Sequence, residues 1–278
     1  MLSYRHSFHA GNFADVLKHI VLIEILESLA KKEKALEYVD THAGAGLFDL
    51  KFGHAEKLAE YRNGIGKLWG GDWPELASYF SVIGAYNPSG SLNYYPGSPL
   101  IASHFLRPQD EAWLFELHPA DFRKLAKNTR EKRRIHARCE DGHQGVLSVL
   151  PPASRRGLVL IDPSYEVKSE YEQVIDTVTR AHRKFSTGIY AIWYPVVNRE
   201  NIVQLERGLA ASGIRDIQRF ELGLAADSDE RGMTASGMIV VNPPWGLFEK
   251  MSALLPKLAT ALCGPGTALF KSDILVPE

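Results

Sequence analysis

The chain has almost no cysteine, no excess of charge of either sign and no long apolar run, and each shortage removes a class of function. Its cysteines, Cys139 and Cys263, lie far apart and form no C-x-x-C pair. That argues against a disulfide framework or a thiolate zinc site and fits a reducing cytoplasm. The formal net charge is -1, so no global field draws the protein to nucleic acid or to an anionic membrane, and any such contact must come from a local basic face. No segment approaches the ~18 consecutive apolar residues of a membrane span. The opening Met1-Leu2-Ser3-Tyr4-Arg5-His6 lacks the apolar stretch of a secretion signal. A soluble, unprocessed cytoplasmic protein without a membrane partner is expected. With 278 residues, 45% of them hydrophobic, the chain can bury a sizeable core as one large α/β domain or one domain carrying an insertion.

What is there is an alternation of strand and helix patterns. Val16, Leu17, Ile20, Val21, Ile23, Ile25, Leu26 and Leu29 recur at helical spacing and predict an amphipathic helix ending in Lys31-Lys32-Glu33-Lys34. A short strand, Ala35 to Asp40, runs into the glycine turn Thr41-His42-Ala43-Gly44-Ala45-Gly46. Between Leu47 and Asp110 the rhythm breaks. Phe52, Leu58, Tyr61, Ile65 and Leu68 suggest one helix and Trp73 to Ile83 another, so a mainly helical insertion is expected, closing at Tyr94-Tyr95-Pro96-Gly97-Ser98-Pro99. There Ser98 reads as the cap of a helix that starts with Pro99. Strands then follow at Trp113 to His118, Ile135 to Cys139, Leu158 to Ile161, Gly188 to Trp193, Asp216 to Leu222 and Gly237 to Val241, with helices between most of them and only a short helical tail after Trp245. Such alternation means a wound, mostly parallel twisted sheet with helices on both faces. The expected division is residues 1–46 (N-terminal motif, helix and first strand), 47–110 (helical insertion) and 111–278 (the remainder of the core).

The glycine turn decides between nucleotide folds. A dinucleotide-binding G-x-G-x-x-G needs a third glycine, but position 49 holds Asp, and no acidic strand end follows about 20 residues on. Asp40-x-His42-x-Gly44-x-Gly46 instead resembles the D-x-F/G-x-G-x-G turn of S-adenosylmethionine-dependent methyltransferases, with His42 where Phe or Gly usually stands. The resemblance implies a Rossmann-like class I fold in which Glu116 meets the ribose hydroxyls and Asp141 the adenine amino group. Asp40, Glu116, Asp141 and Asp162 each stand near the end of one of four successive strands, and those ends form one rim.

Amino-group methyltransferases carry [D/N/S]-P-P-[Y/F/W] after the fourth strand, and two stretches compete for that role. Asn242-Pro243-Pro244-Trp245 matches every letter, whereas Asp162-Pro163-Ser164-Tyr165 departs at Ser164. Asp162 is preferred because more strands and helices follow it. The residue types suit the chemistry. Asp162 and the Pro163 carbonyl can each accept one N–H of an exocyclic amine, aiming its lone pair at a methyl donor. The carboxylate can then take the proton made acidic by methylation, and Tyr165 can stack on an extruded base. The bland reading is an Asp-Pro turn with a packed tyrosine.

Across its length the chain resembles the bacterial large-subunit ribosomal RNA adenine-N6 methyltransferases called methyltransferase J. The stretches that carry the resemblance are Tyr4 to Asn12 leading to Asp15-Val16-Leu17-Lys18-His19, Asp40 to Gly46, Tyr94 to Pro99, Glu116-Leu117-His118-Pro119 and Arg231 to Gly237. That family usually has Pro where Ser164 stands. The resemblance implies S-adenosylmethionine as cofactor and 23S rRNA as partner, on naked or incompletely assembled RNA. It implies a cofactor pocket of Lys18, His19, Asp40, His42, Gly44, Gly46, Ser98, Glu116, Asp141, Gly142 and Asp162, with Tyr4 and His6 closing over the target adenine. Asp162, Pro163 and Tyr165 are the expected catalytic residues. His19 also reads as the polar edge of a helix, and His6, His9 and His19 lack a carboxylate or cysteine partner at ligand spacing, so no metal is expected. Arg123 to Arg134 form a basic helix that suits RNA phosphates or plain solvent. A monomer is favoured. The rival functions are a DNA adenine methyltransferase or a role in using external DNA, and an RNA-binding protein impaired by Ser164.

Overall fold

The apolar run at Leu158–Ile161 forms the centre of the molecule because its alternate side chains enter different cores. Leu158 and Leu160 belong to one buried cluster, Val159 and Ile161 to the other, as a strand covered on both faces requires. The computed structural model describes residues 9–51, 59–130, 134–227, 232–264 and 269–278. In chain order the elements are α1 (Phe13–Ala30), β1 (Glu37–Asp40), β2 (Leu47–Asp49), a 3-10 turn (Glu60–Asn63), α2 (Ile65–Leu68), a second 3-10 turn (Pro74–Leu76), α3 (Ala77–Ala85), β3 (Tyr94–Pro96) and α4 (Ser98–Phe105). Then come β4 (Glu111–Phe115), α5 (Pro119–Thr129), β5 (Ile135–Arg138), α6 (Gly142–Val149), β6 (Gly157–Ile161), α7 (Ser169–Lys184), β7 (Ile189–Val196), α8 (Arg199–Ala211), β8 (Ile217–Gly223), β9 (Ala235–Val241), α9 (Leu247–Cys263) and β10 (Leu269–Val276).

The main sheet runs β10-β8-β9-β7-β6-β1-β4-β5. β5, β4, β1, β6 and β7 pair in parallel, while β9, β8 and β10 continue antiparallel beyond β7. This is the expected α/β architecture. On one face α1, α4 and α9 supply Leu17, Ile101 and Leu255, and on the other α6, α7 and α8 supply Val146, Val174 and Leu205. Each such side chain contributes roughly 1.5–3 kcal/mol through burial. Successive strands wind outward from β1 first to one side, then to the other, so the switch point lies between β1 and β6. The carboxyl ends of these two strands open the crevice where ligands of such sheets bind.

Three expectations change. The helix α1 is not half-exposed: from Phe13 to Ile23 it is buried all round, because it lies against the sheet beneath α3, α4 and α9. Asn12 caps it, accepting from the Ala14 and Asp15 amides. The segment after Trp245 is more than a short helical tail, since α9 is followed by β10, an edge strand paired with β8. Its Lys271-Ser272-Asp273 centre and half-exposed Leu269, Phe270 and Ile274 hide the strand pattern. The stretch between β1 and β4 contains, besides helices, the antiparallel pair β2–β3. Phe52 and Leu58, part of the helix expected there, lie outside the described residues, as do Lys132, Arg133 and Arg231. Among the described residues no helix is long and apolar enough to cross a membrane.

Candidate active site

The glycine turn after β1 is tied to both neighbouring strands. The Thr41 amide donates to the Leu160 carbonyl of β6 and the Ala43 amide to Phe115 of β4, while Gly97 donates to Gly46. Gly44 and Gly46 have φ of 61° and 82°, a region that glycine occupies without Cβ strain. At Gly44 the backbone amide donates to Glu116 Oε2 at 2.8 Å, and the amide of His118 donates to Oε1 at 2.7 Å. Glu116 therefore holds its carboxylate in a fixed place at the rim, and burial raises its pKa. Asp141 caps α6 by accepting from the His143 amide. Gly142 must be glycine, since a Cβ there would lie 1.8 Å from the Thr41 carbonyl oxygen.

A cluster of buried charges sits beside this turn. Lys18, only 2% exposed, places Nζ 2.6 Å from Asp162 Oδ2 and 2.8 Å from Asp15 Oδ1. Burial alone would lower its pKa, but the two carboxylates outweigh it and hold the ammonium above its usual range. Asp40 is fully buried and accepts from Tyr38 and Ser98 hydroxyls, both at 2.7 Å, and from the His42 amide. Burial pushes its pKa up to about 6 in spite of those donors. His42 is lowered to about 3 by burial and then by His143, so it stays a neutral ring. Its Nδ1 meets Thr41 Oγ1, which itself donates to the Leu160 carbonyl. Nδ1 thus carries the proton and Nε2 is an acceptor.

Two cavities share one wall. The first, about 250 Å³, is lined by Lys18, His19, His42, Gly44, Ser98, Glu116, Asp141, Gly142 and Asp162 among others. The second, about 190 Å³, lies on the other side of Lys18, Asp162 and Ser164 and adds His9, Asn12, Asp15, Tyr165, Trp193, Pro195, Val197 and Met233. Asp40 stands behind the first cavity, reached through Ser98, and Gly46 supports the turn from below, packed near Leu100 and Leu125. Ser98 is not the expected cap: Gly97 holds that position and the Ser98 hydroxyl points to Asp40. Nor is His19 at a polar edge, being fully buried with Nδ1 2.8 Å from the Tyr95 hydroxyl. Tyr4 and His6 lie outside the described residues.

The two competing motifs stand at opposite ends of the sheet. Asp162 follows the carboxyl end of β6, with Pro163 buried and its carbonyl accepting no backbone hydrogen bond among the described residues. Tyr165, at φ 53°, donates its hydroxyl to the Trp193 carbonyl and lies 4.4 Å from the Tyr171 ring. Asn242 follows β9, which is antiparallel to β7, and its side-chain amide donates to the Ser186 and Gly188 carbonyls at the start of β7. Trp245 is 101% exposed. Sequence reasoning missed Asp15, Trp193, Met233 and Glu170. Glu170 lines the first cavity, and its Oε2 is buried with no hydrogen-bond partner among the described residues. A carboxylate in the first turn of the helix after the Asp-Pro break was the available signal.

The family model described as ribosomal RNA large subunit methyltransferase D, RlmJ, matches residues 33–274. The chain belongs to that family. It is 51% identical over the full length of both chains to ribosomal RNA large subunit methyltransferase J of Escherichia coli, and 50% identical, again over both full lengths, to the Haemophilus influenzae protein of that name. A crystal structure from Legionella pneumophila superposes with a TM-score of 0.89 at 39% identity, covering 96% of this chain and 98% of the other. As a methyltransferase J family member, the chain has the cavity pair at the switch point of the fold it shares with that structure.

Proposed function

We propose that the chain transfers a methyl group from S-adenosylmethionine to the N6 amino group of an adenine in 23S rRNA, acting on naked or incompletely assembled RNA. The observation that carries this reading is Asp162 in the wall between the two cavities, with the Pro163 carbonyl beside it. The first cavity suits the cofactor. Its glycine turn leaves room where a side chain would intrude, Glu116 is held ready for hydroxyl donors, and Glu170 Oε2, buried without a hydrogen-bond partner among the described residues, can accept from an amine. Lys18, His19, His42, Gly44, Ser98, Glu116, Asp141, Gly142 and Asp162 would hold it, and bound there it supplies an electrophilic methyl group on a sulfonium.

The protein's own residues do the rest. Asp162 and the Pro163 carbonyl accept the two N–H bonds of the adenine amine, turning its lone pair out of conjugation with the ring. Asp162 then takes the proton released after transfer. The second cavity, walled by Tyr165, Trp193 and Met233, receives the flipped base, and Tyr4 and His6 belong to the segment that leads into its His9 and Asn12 wall. The exposed Arg123, Lys124 and Lys127 of α5, which leaves the rim directly after His118, and Arg130 just past its end suit phosphate contacts. The names of the relatives support large-subunit RNA over DNA.

Transfer of labelled methyl to naked large-subunit rRNA, with DNA and assembled subunits as controls, tests the reading. Wild-type activity on RNA alone is the expected result, and no transfer to RNA would sink it. Ser164 should not impair this activity. Among the described residues the Ser164 N–H makes no backbone hydrogen bond that proline would remove, and its hydroxyl only reaches Glu170 at 3.5 Å. Ser164→Pro is therefore expected to change turnover by less than about 3-fold, since a contact that long contributes little.

Cofactor affinity should also depend on pH. Asp40 ionises near pH 6, adding negative charge behind a cavity that receives a cation, so affinity for S-adenosylmethionine rises as pH increases through that value. Calorimetric titrations on either side of pH 6 would check this, and Asp40→Asn should flatten the step. The stability effect has the opposite sign. Because the folded value of about 6 lies above the usual 3.8, the fold holds more protons than the unfolded chain in that window, and this group's contribution to stability is lost as pH rises through it.

A further inference from the structure

The stretch between β1 and β4 interrupts the strand-helix alternation, and among the described residues the first cavity draws on it only near its two ends, at Phe48, Gly97 and Ser98. Its middle is docked elsewhere, on the Gly11-Asn12 turn that opens α1. The Ile65 amide donates to the Gly11 carbonyl at 2.9 Å. Gly64 lies so close that a Cβ there would stand 2.2 Å from the same carbonyl oxygen. Glu60 adds the polar contact, since its Oε2 meets His9 Nδ1 at 2.9 Å and accepts from Asn12 Nδ2 at 3.0 Å. Burial would raise the Glu60 pKa, but these two hydrogen bonds outweigh it and hold the carboxylate below its usual range. An ionised carboxylate only accepts, so His9 donates from Nδ1. His9 and Asn12 both line the second cavity, and Glu60 stands behind them.

We propose that Glu60 is a positioning residue for the target base: it holds the His9 ring and the Asn12 amide in the wall of the second cavity, so that the insertion completes the RNA side of the site. This rests on the reading of that cavity as the one that receives the flipped base. Glu60 does not touch the base; it acts through His9 and Asn12. With 34% of its side chain exposed, the His9 ring is not enclosed by packing, and the Glu60 bond gives it a direction. Asn12, whose Oδ1 accepts from the Ala14 and Asp15 amides, is held at both ends of its side-chain amide. A flipped nucleotide has given up its stacking and pairing, and a cavity of fixed shape has to offset that loss. A misplacement of about 1 Å far from the chemistry is enough to cost about 10²-fold in rate. RNA affinity rests largely on phosphate contacts, so the effect of Glu60 falls on turnover.

The test is steady-state methylation of naked large-subunit rRNA by the full chain, with a calorimetric titration of S-adenosylhomocysteine and a thermal melt beside it. In Glu60→Ala, kcat should fall about 10- to 100-fold, while KM for RNA stays within about 3-fold. Affinity for S-adenosylhomocysteine should stay within about 2-fold, because Glu60 is remote from the first cavity. Glu60→Gln, which keeps an acceptor oxygen, should retain at least about a third of the wild-type kcat. His9→Ala should cost less in the Glu60→Ala background than in the wild type, since one residue acts through the other. A purely structural role would lower the melting temperature and the S-adenosylhomocysteine affinity together with kcat, and that pattern overturns the proposal. So does an unchanged kcat in Glu60→Ala. If the Ala variant does not fold, Glu60→Asp, which withdraws the carboxylate from both donors, takes its place with the same two readings. A wild-type chain that transfers no methyl to RNA overturns the functional reading itself, whereas an active wild type matched by its Glu60 variants overturns this inference alone.

Discussion

Asp162→Ala is expected to reduce methyl transfer by at least about 10³-fold while the chain stays folded and still binds S-adenosylhomocysteine. The loss combines two effects: a base positioned at the reacting group is commonly worth 10²- to 10⁴-fold, as a rough range, and the orientation of the amine adds to it. The fold survives because Lys18 keeps a partner. Removing one member of a buried pair usually costs about 3–5 kcal/mol by stranding the other charge, but here Asp15 Oδ1 remains 2.8 Å from Lys18 Nζ. A cost of about 1–3 kcal/mol is expected instead, a fall in melting temperature of roughly 3–10 °C for a chain of this size. Single-turnover transfer, calorimetry with the product nucleoside and a thermal melt check the three parts separately. Undiminished turnover would move the chemistry away from Asp162. It could not pass to Asn242, whose amide is taken up by the Ser186 and Gly188 carbonyls at the far end of the sheet.

The order of strands was legible in the sequence because it is written in local patterns. The Leu158–Ile161 run has to be buried on both faces, and Asp-Pro ends it abruptly, so Asp162 could be put at a carboxyl strand end beside Glu116 and Asp141. What local patterns cannot encode is which distant group answers a buried charge. Lys18 reads as one polar residue in an apolar helix, and besides Asp15 on the same helix its partner is Asp162, 144 positions away. Asp15 differs from any first-turn acid only because α1 is enclosed on all sides. Ser98 obeyed the rule for a helix cap and was still drawn to Asp40, since a buried carboxylate has a stronger claim on a hydroxyl than a helix end does. Trp193 sits in a strand of uniformly buried residues and reads as core. Only the turn that leads Tyr165 back to its carbonyl shows that it borders a cavity. The β10 strand was lost for the opposite reason, being an edge that needs little apolar pattern to pair with β8.

Gly142→Ala should be the most damaging single-methyl change in the site. The added Cβ would meet the Thr41 carbonyl oxygen at 1.8 Å and its carbon at 2.5 Å. Thr41 cannot retreat, because its amide and its hydroxyl both donate to Leu160 of β6. Nor can Gly142 move easily, as the first residue of a helix capped by Asp141 and packed on β1. Overpacking among side chains typically costs about 1–3 kcal/mol; with backbone on both sides of the clash, about 3 kcal/mol or more is expected. Melting should fall by roughly 6–12 °C. The displaced cap and turn would weaken S-adenosylhomocysteine binding by at least about ten-fold, the effect of a misfit of ~1.4 kcal/mol or more in the pocket wall. Gly84→Ala supplies the control. It lies inside α3, a Cβ there meets nothing within 4 Å, and the change should stabilise the fold by about 0.5–1 kcal/mol. If Gly142→Ala melts and binds like Gly84→Ala, the close approach of α6 to the end of β1 is not what holds the cofactor turn in shape.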